Sequence, residues 1–109
     1  YKLADTASRS VSAGQWVTIA TGTGRQYATF NVWDTNGGRH GSMSFTAGIS
    51  YGGTATLTLL GKSWYSSNGI FNNIRISKGT TYETHYLQIY ITDTGTLNYA
   101  ITNNFQGSG

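Results

Sequence analysis

Apolar residues fall at every second position in several short runs of this chain, the period of a strand with one buried face. In Gln26-Tyr27-Ala28-Thr29-Phe30-Asn31-Val32-Trp33, the residues Ala28, Phe30 and Val32 share a face. The stretch from Ile70 to Ile76 and the stretch from Tyr86 to Ile91 repeat the pattern and read as half-buried strands one loop apart. Gln15 to Ala20, Met43 to Ile49, Ala55 to Leu60 and Leu97 to Ile101 complete the set, with a shorter stretch at Ser10-Val11-Ser12. Leu57 and Leu59 are placed on one side of their strand. Apolar residues never recur at helical spacing over three turns, and Thr, Ile, Val and Tyr are the residues that strands favour. The pattern predicts an all-β fold of about eight strands at the spacing of sandwiches and jelly rolls, an antiparallel β-sandwich with almost no helix.

Turn chemistry separates the runs. Asp34-Thr35-Asn36-Gly37-Gly38 predicts a tight hairpin, because Asn-Gly tolerates the positive φ angles that such turns need. Gly22-Thr23-Gly24 and Tyr51-Gly52-Gly53 predict turns, Asp93-Thr94-Gly95 a last hairpin, and Gly61 to Gly69 a longer loop carrying Trp64, Tyr65 and Asn68.

Arg75 stands inside one apolar run, so its permanently charged guanidinium must find a partner on a neighbouring strand or a neighbouring subunit. Tyr82, Tyr86 and Tyr90 share one face of the following strand, opposite Leu87, Ile89 and Ile91. A tyrosine ladder opposite an aliphatic face predicts a second packed surface, a subunit contact or a ligand groove, and Arg75 joins it as a candidate contact residue.

With 109 residues the chain has the length of a single domain that buries roughly two-thirds of its unfolded surface. Only 10% of the residues are charged, and the net charge of +3 comes from isolated side chains rather than from a basic run. That distribution lacks the footprint of a nucleic-acid binder. Cysteine is absent, which excludes a disulfide framework and thiolate metal sites. Proline is absent too, so sheet edges lack their usual blocker and association into a closed oligomer is one way to cover them. Glycine bulges and scattered lysines are the other. No apolar run approaches the length of a membrane span, and no signal segment is visible. Because the chain opens on Tyr1 rather than Met, it is expected to be a fragment of a longer protein.

Four carboxyl groups, Asp5, Asp34, Glu83 and Asp93, are available for chemistry. Asp34 and Asp93 occupy turn positions where Asp ordinarily binds its own backbone. Glu83 and His85 share a strand face and could hold a proton shuttle, or simply form a cross-strand polar pair. Neither His40 nor His85 has metal-ligand spacing to a carboxyl group, and no nucleophile elbow is present. The reading is a non-enzyme with no cofactor and no metal.

Binding has more support, since aromatic residues reach 14% and several fall at predicted strand ends or in loops. Rigid rings beside amides, hydroxyls and charges suit a sugar, which offers an apolar face to stack on and hydrogen-bonding groups around its edge. Trp33, Asp34, Asn36, Arg39 and His40 form one such cluster, and Trp64, Tyr65 and Asn68 another. Trp33 and Trp64 could equally be lids of the core. Trp16, Phe30, Phe45 and Phe71, inside alternating strands, are expected in the core.

The order Gln15-Trp16-Val17-Thr18-Ile19-Ala20, Gly24-Arg25-Gln26-Tyr27-Ala28-Thr29-Phe30, Arg39-His40-Gly41 leading to Phe45, Asn73-Ile74-Arg75-Ile76 and Tyr86-Leu87-Gln88-Ile89-Tyr90-Ile91 resembles the C-terminal domains of tailed-bacteriophage tail fibres and tailspikes. The similarity covers nearly the whole chain and lies in strand pattern and composition. It implies a homotrimeric β structure at the distal end of a fibre, on the virion, that recognises a host cell-surface polysaccharide or protein receptor without entering the membrane. A trimerisation cap without ligand, and a monomeric secreted carbohydrate-binding module, are the alternatives.

Overall fold

Nine strands carry the alternation into two antiparallel sheets packed face to face in a computed structural model, which describes residues 1–4, 8–36, 38, 40–50, 54–65, 70–78 and 84–106. The strands are β1 (Lys2–Leu3), β2 (Ser8–Val11), β3 (Trp16–Thr23), β4 (Gln26–Asp34), β5 (Gly41–Ile49), β6 (Ala55–Trp64), β7 (Phe71–Lys78), β8 (Thr84–Ile91) and β9 (Gly95–Gln106). The first sheet has the order β1-β3-β8-β7 and the second β2-β9-β4-β5-β6. No helix occurs among the described residues, so the predicted all-β sandwich is the fold. The predicted turn at 51–53 lies outside the described residues.

Between the sheets lie Val17, Ile19, Phe71, Leu87, Ile89 and Ile91 from one side and Ala28, Phe30, Val32, Met43, Phe45, Leu97 and Tyr99 from the other. Phe30 and Phe45 are cross-strand partners whose rings stack at 5.4 Å, and the Tyr1 ring meets Phe30 edge-on at 5.3 Å. Bulges adjust the phase. Ile19 is the extra residue of β3 between Thr18 and Ala20, which lets Ile19 and Ala20 both turn inward. Where β9 bulges against β4, Asn103 takes φ 51°, a conformation that Asn tolerates better than most side chains.

Four features differ from the sequence expectation. Gly61 to Trp64 is not loop but the continuation of β6, paired with β5 through Gly41↔Trp64. Asp93–Thr94 does not close a hairpin, since β8 and β9 belong to different sheets and the chain crosses between them. Gly22 and Thr23 belong to β3, and it is Gly24–Arg25 that carries the chain from the first sheet to the second, with Gly24 at φ 75°. Trp16 is not core: Val17 and Ile19 take the inward positions of β3, which leaves Trp16 half-buried on the outer face. Leu57 and Leu59 do share one side of β6, opposite Ala47 and Phe45, although β6 is an edge strand and both Leu59 and Leu60 are exposed. The predicted Asp34–Gly38 hairpin does join β4 to β5, with Asp34↔Gly41 as its last pair.

Burial holds the Tyr1 phenol protonated well above its ordinary value of 10.0. The native state therefore keeps this proton where the unfolded chain has lost it, and stability present below about pH 10 falls as pH rises further. Denaturation midpoints measured between about pH 9 and pH 11.5 should decline in the wild type. The decline should be smaller in Tyr1→Phe; an identical decline would exclude Tyr1 as a source.

Candidate functional site

At the end of the second sheet, Asp34, Gly41 and Trp64 form one row across β4, β5 and β6. Side chains in such a row share a face, and here it is the face that carries the core. Gly41 has no side chain, so the indole of Trp64 lies directly over it: an ideal Cβ at this position would be 1.7 Å from Trp64 Cε3. The other side of the indole meets Phe71 edge-on, with centroids 5.0 Å apart. Past the end of the β5–β6 ladder, the Tyr65 N–H donates to the His40 carbonyl at 2.9 Å, and the two rings stack at 4.6 Å.

These residues, with Thr35 and Ser63, line an open cavity of about 410 Å³. Asp34 reaches into its wall from the core-facing side of β4 and is only 4% exposed. Its Oδ1 accepts the Asn36 N–H at 2.9 Å, and Asn36 Oδ1 in turn accepts the Gly38 N–H at 2.9 Å. Its Oδ2 is buried and has no hydrogen-bond partner among the described residues. Leaving such an atom unpaired costs about 1–3 kcal/mol. The cavity thus combines stacking surface at Trp64, Tyr65 and His40 with the Asp34 carboxyl group in its wall.

Four of the eight residues that the sequence suggested for ligand binding meet here: Asp34, His40, Trp64 and Tyr65. Trp33 points to the outer face of the second sheet, where its carbonyl accepts from Asn98 Nδ2 at 3.3 Å. Asn36 uses its side chain to hold the hairpin. Arg39 and Asn68 lie outside the described residues. Gly41 and Ser63 went unnoticed in sequence, although a glycine opening a strand beside aromatic clusters is a signal of close approach. Trp64 is half-buried and packs on the core, so it lids the core where it lines the cavity.

The other cluster lies on the outer face of the first sheet. Arg75 is exposed and finds its partners within the chain: its guanidinium carbon lies 4.0 Å over the Trp16 ring, and Nε–H donates to Gln88 Oε1 at 2.7 Å. Gln88 Nε2 donates to Thr18 Oγ1 at 3.0 Å, and Arg9 reaches the Thr18 carbonyl at 3.2 Å. Tyr90 leans on Trp16 at 5.3 Å, and Tyr86 is exposed on the same face. Tyr82 and Glu83 lie outside the described residues, while His85 is buried with its ring edge-on to Tyr1 at 5.2 Å. Among the described residues no three His, Cys, Asp or Glu side chains come together as a metal site. Comparison with known proteins returns no matching family model, no matching curated protein and no matching solved structure.

Proposed function

We propose that this chain is a glycan-binding attachment domain, working as a homotrimer at the distal end of a phage tail fibre or tailspike and outside the host cell. The observation that carries the glycan reading is the end cavity, where three aromatic side chains line the wall together with the carboxyl group of Asp34. A pyranose offers an apolar face to the rings and hydroxyl donors to Asp34. Binding without turnover fits the wall's composition, because glycoside cleavage generally needs two carboxyl groups about 5–9.5 Å apart and Asp34 is the cavity's one described carboxyl residue.

Fibre placement rests on the resemblance in strand order and composition. Assembly has support from β6, a ten-residue edge strand whose residues are mostly exposed and which presents Leu59 and Leu60 to solvent. Covering such an edge in an oligomer removes an aggregation hazard.

Light scattering across a concentration series, followed by binding to isolated host surface polysaccharides, tests the proposal. A trimer that binds glycan is the expected result. A trimer with no glycan affinity would leave a structural cap, and a stable monomer that binds would be a free-standing module. Tyr65→Ala should weaken binding by about 1–2 kcal/mol, roughly 5- to 30-fold, with the melting temperature unchanged, because Tyr65 is 67% exposed. Unchanged glycan binding in both Tyr65→Ala and Asp34→Asn would move the site away from this cavity.

A further inference from the structure

We propose that the outer face of the first sheet is a second binding surface, built for the carboxylate-bearing sugars of an acidic polysaccharide. The inference rests on this face alone and stands whether or not the end cavity binds.

Three observations carry it. The first is preorganisation: the Arg75 guanidinium lies over Trp16, its Nε–H is held by Gln88, and Gln88 is held by Thr18. Because that bond uses one of five guanidinium donors on an exposed side chain, the planar fork is fixed in place while its terminal N–H groups remain to engage a carboxylate in bidentate fashion. A fork already ordered in the free protein loses little freedom on binding.

The second observation is charge. On this face stand Lys2, in one row with Thr21 and Tyr86, and Arg75, and none of the four strand sequences contains Asp or Glu. Arg9 reaches the same sheet from across its edge, at the Thr18 carbonyl. A second copy of the same face would bring guanidinium against guanidinium, so the complementary partner is an anion rather than this chain.

Shape is the third. Tyr90 tilts against Trp16 at 59°, and Tyr86 stands exposed four residues before Tyr90 along β8, on the same face. The guanidinium therefore adjoins aromatic surface, which a sugar ring can cover while its carboxylate meets the fork. An acidic peptide would satisfy the charge but has less use for the rings. This surface is also distinct from the end cavity, where the carboxyl group of Asp34 would repel an acidic unit.

Calorimetry of the full chain with oligogalacturonate, with uncharged dextran and poly-glutamate as controls, tests the inference. Oligogalacturonate should bind and lose affinity as salt rises from about 0.05 to about 0.3 M, while dextran should not engage this face. Arg75→Gln should weaken oligogalacturonate binding about tenfold or more, and Arg75→Lys should restore little of it, because lysine keeps the charge but not the fork. Tyr86→Ala should weaken binding severalfold at unchanged melting temperature, whereas Tyr65→Ala should leave it intact. Equal affinity of wild type and Arg75→Gln, or binding of poly-glutamate as tight as that of oligogalacturonate, would overturn the assignment.

Discussion

Gly41→Ala should displace Trp64, destabilise the domain by about 1–3 kcal/mol and remove glycan binding at the end cavity. The added methyl cannot be absorbed by a small shift, because its ideal position is 1.7 Å from Trp64 Cε3, 2.4 Å from Cζ3 and 2.8 Å from the Ser63 carbonyl oxygen. The indole is also backed by Phe71, so it must swing outward rather than slide. Leaving its place, Trp64 uncovers the core and dissolves the wall that it shares with Asp34 and Tyr65. Thermal unfolding, indole fluorescence and polysaccharide binding, measured together, check this. A variant with wild-type fluorescence and full affinity would show that Trp64 has room to move, and that the row from Asp34 to Trp64 does not set the site.

Phe30→Ala should be the most damaging single truncation, costing about 3–5 kcal/mol. Phe30 is fully buried at the centre of the second sheet, stacked on Phe45 and capped by the edge of Tyr1. Removing the ring leaves Phe45 and Tyr1 without their shared partner, in a core that cannot collapse without bending β4. Against a typical domain stability of about 5–15 kcal/mol, that loss is a fifth of the total or more. Urea titration should show a much lower midpoint with a similar slope. An unfolding free energy within about 1 kcal/mol of wild type would contradict the assignment of Phe30 to the heart of the sandwich.

The residues that were legible in the sequence are those whose environment is set locally. Ala28, Phe30 and Val32 alternate cleanly because both flanks of β4 are paired and one face is dry, so the period of the strand appears directly in the residue types. Asn36 and Gly37 marked the β4–β5 hairpin for the same reason, turn geometry being a property of a few neighbours. β6 was harder to follow past Leu60, because an edge strand exposed on both faces has no apolar period to display. The turn chemistry of Asp93 to Gly95 was visible, but whether the chain turns back within a sheet or crosses to the other depends on distant pairings.

Long-range pairing also explains the site. Asp34 with His40, and Trp64 with Tyr65, were recognisable as separate clusters, each an aromatic residue beside polar groups. Only the register between β5 and β6, reset by the bulge at Leu60, places Trp64 opposite Gly41 and so joins the two. Asp34 looked like an ordinary turn aspartate, and with Oδ1 it is one. The buried and unpaired Oδ2 follows from the inward phase of β4, which carries the residue into the cavity wall.

The position of β9 has a consequence for how the protein is made. This strand comes late in the chain yet lies inside the second sheet, hydrogen-bonded to β2 on one side and β4 on the other. At about 5–20 residues per second, translation delivers β2 and β4 several seconds before their common neighbour. Until Gly95 to Gln106 leave the ribosome, the nascent chain holds an incomplete sheet with a bare flank along β4, and ribosome-bound intermediates are the species for which a chaperone would matter most.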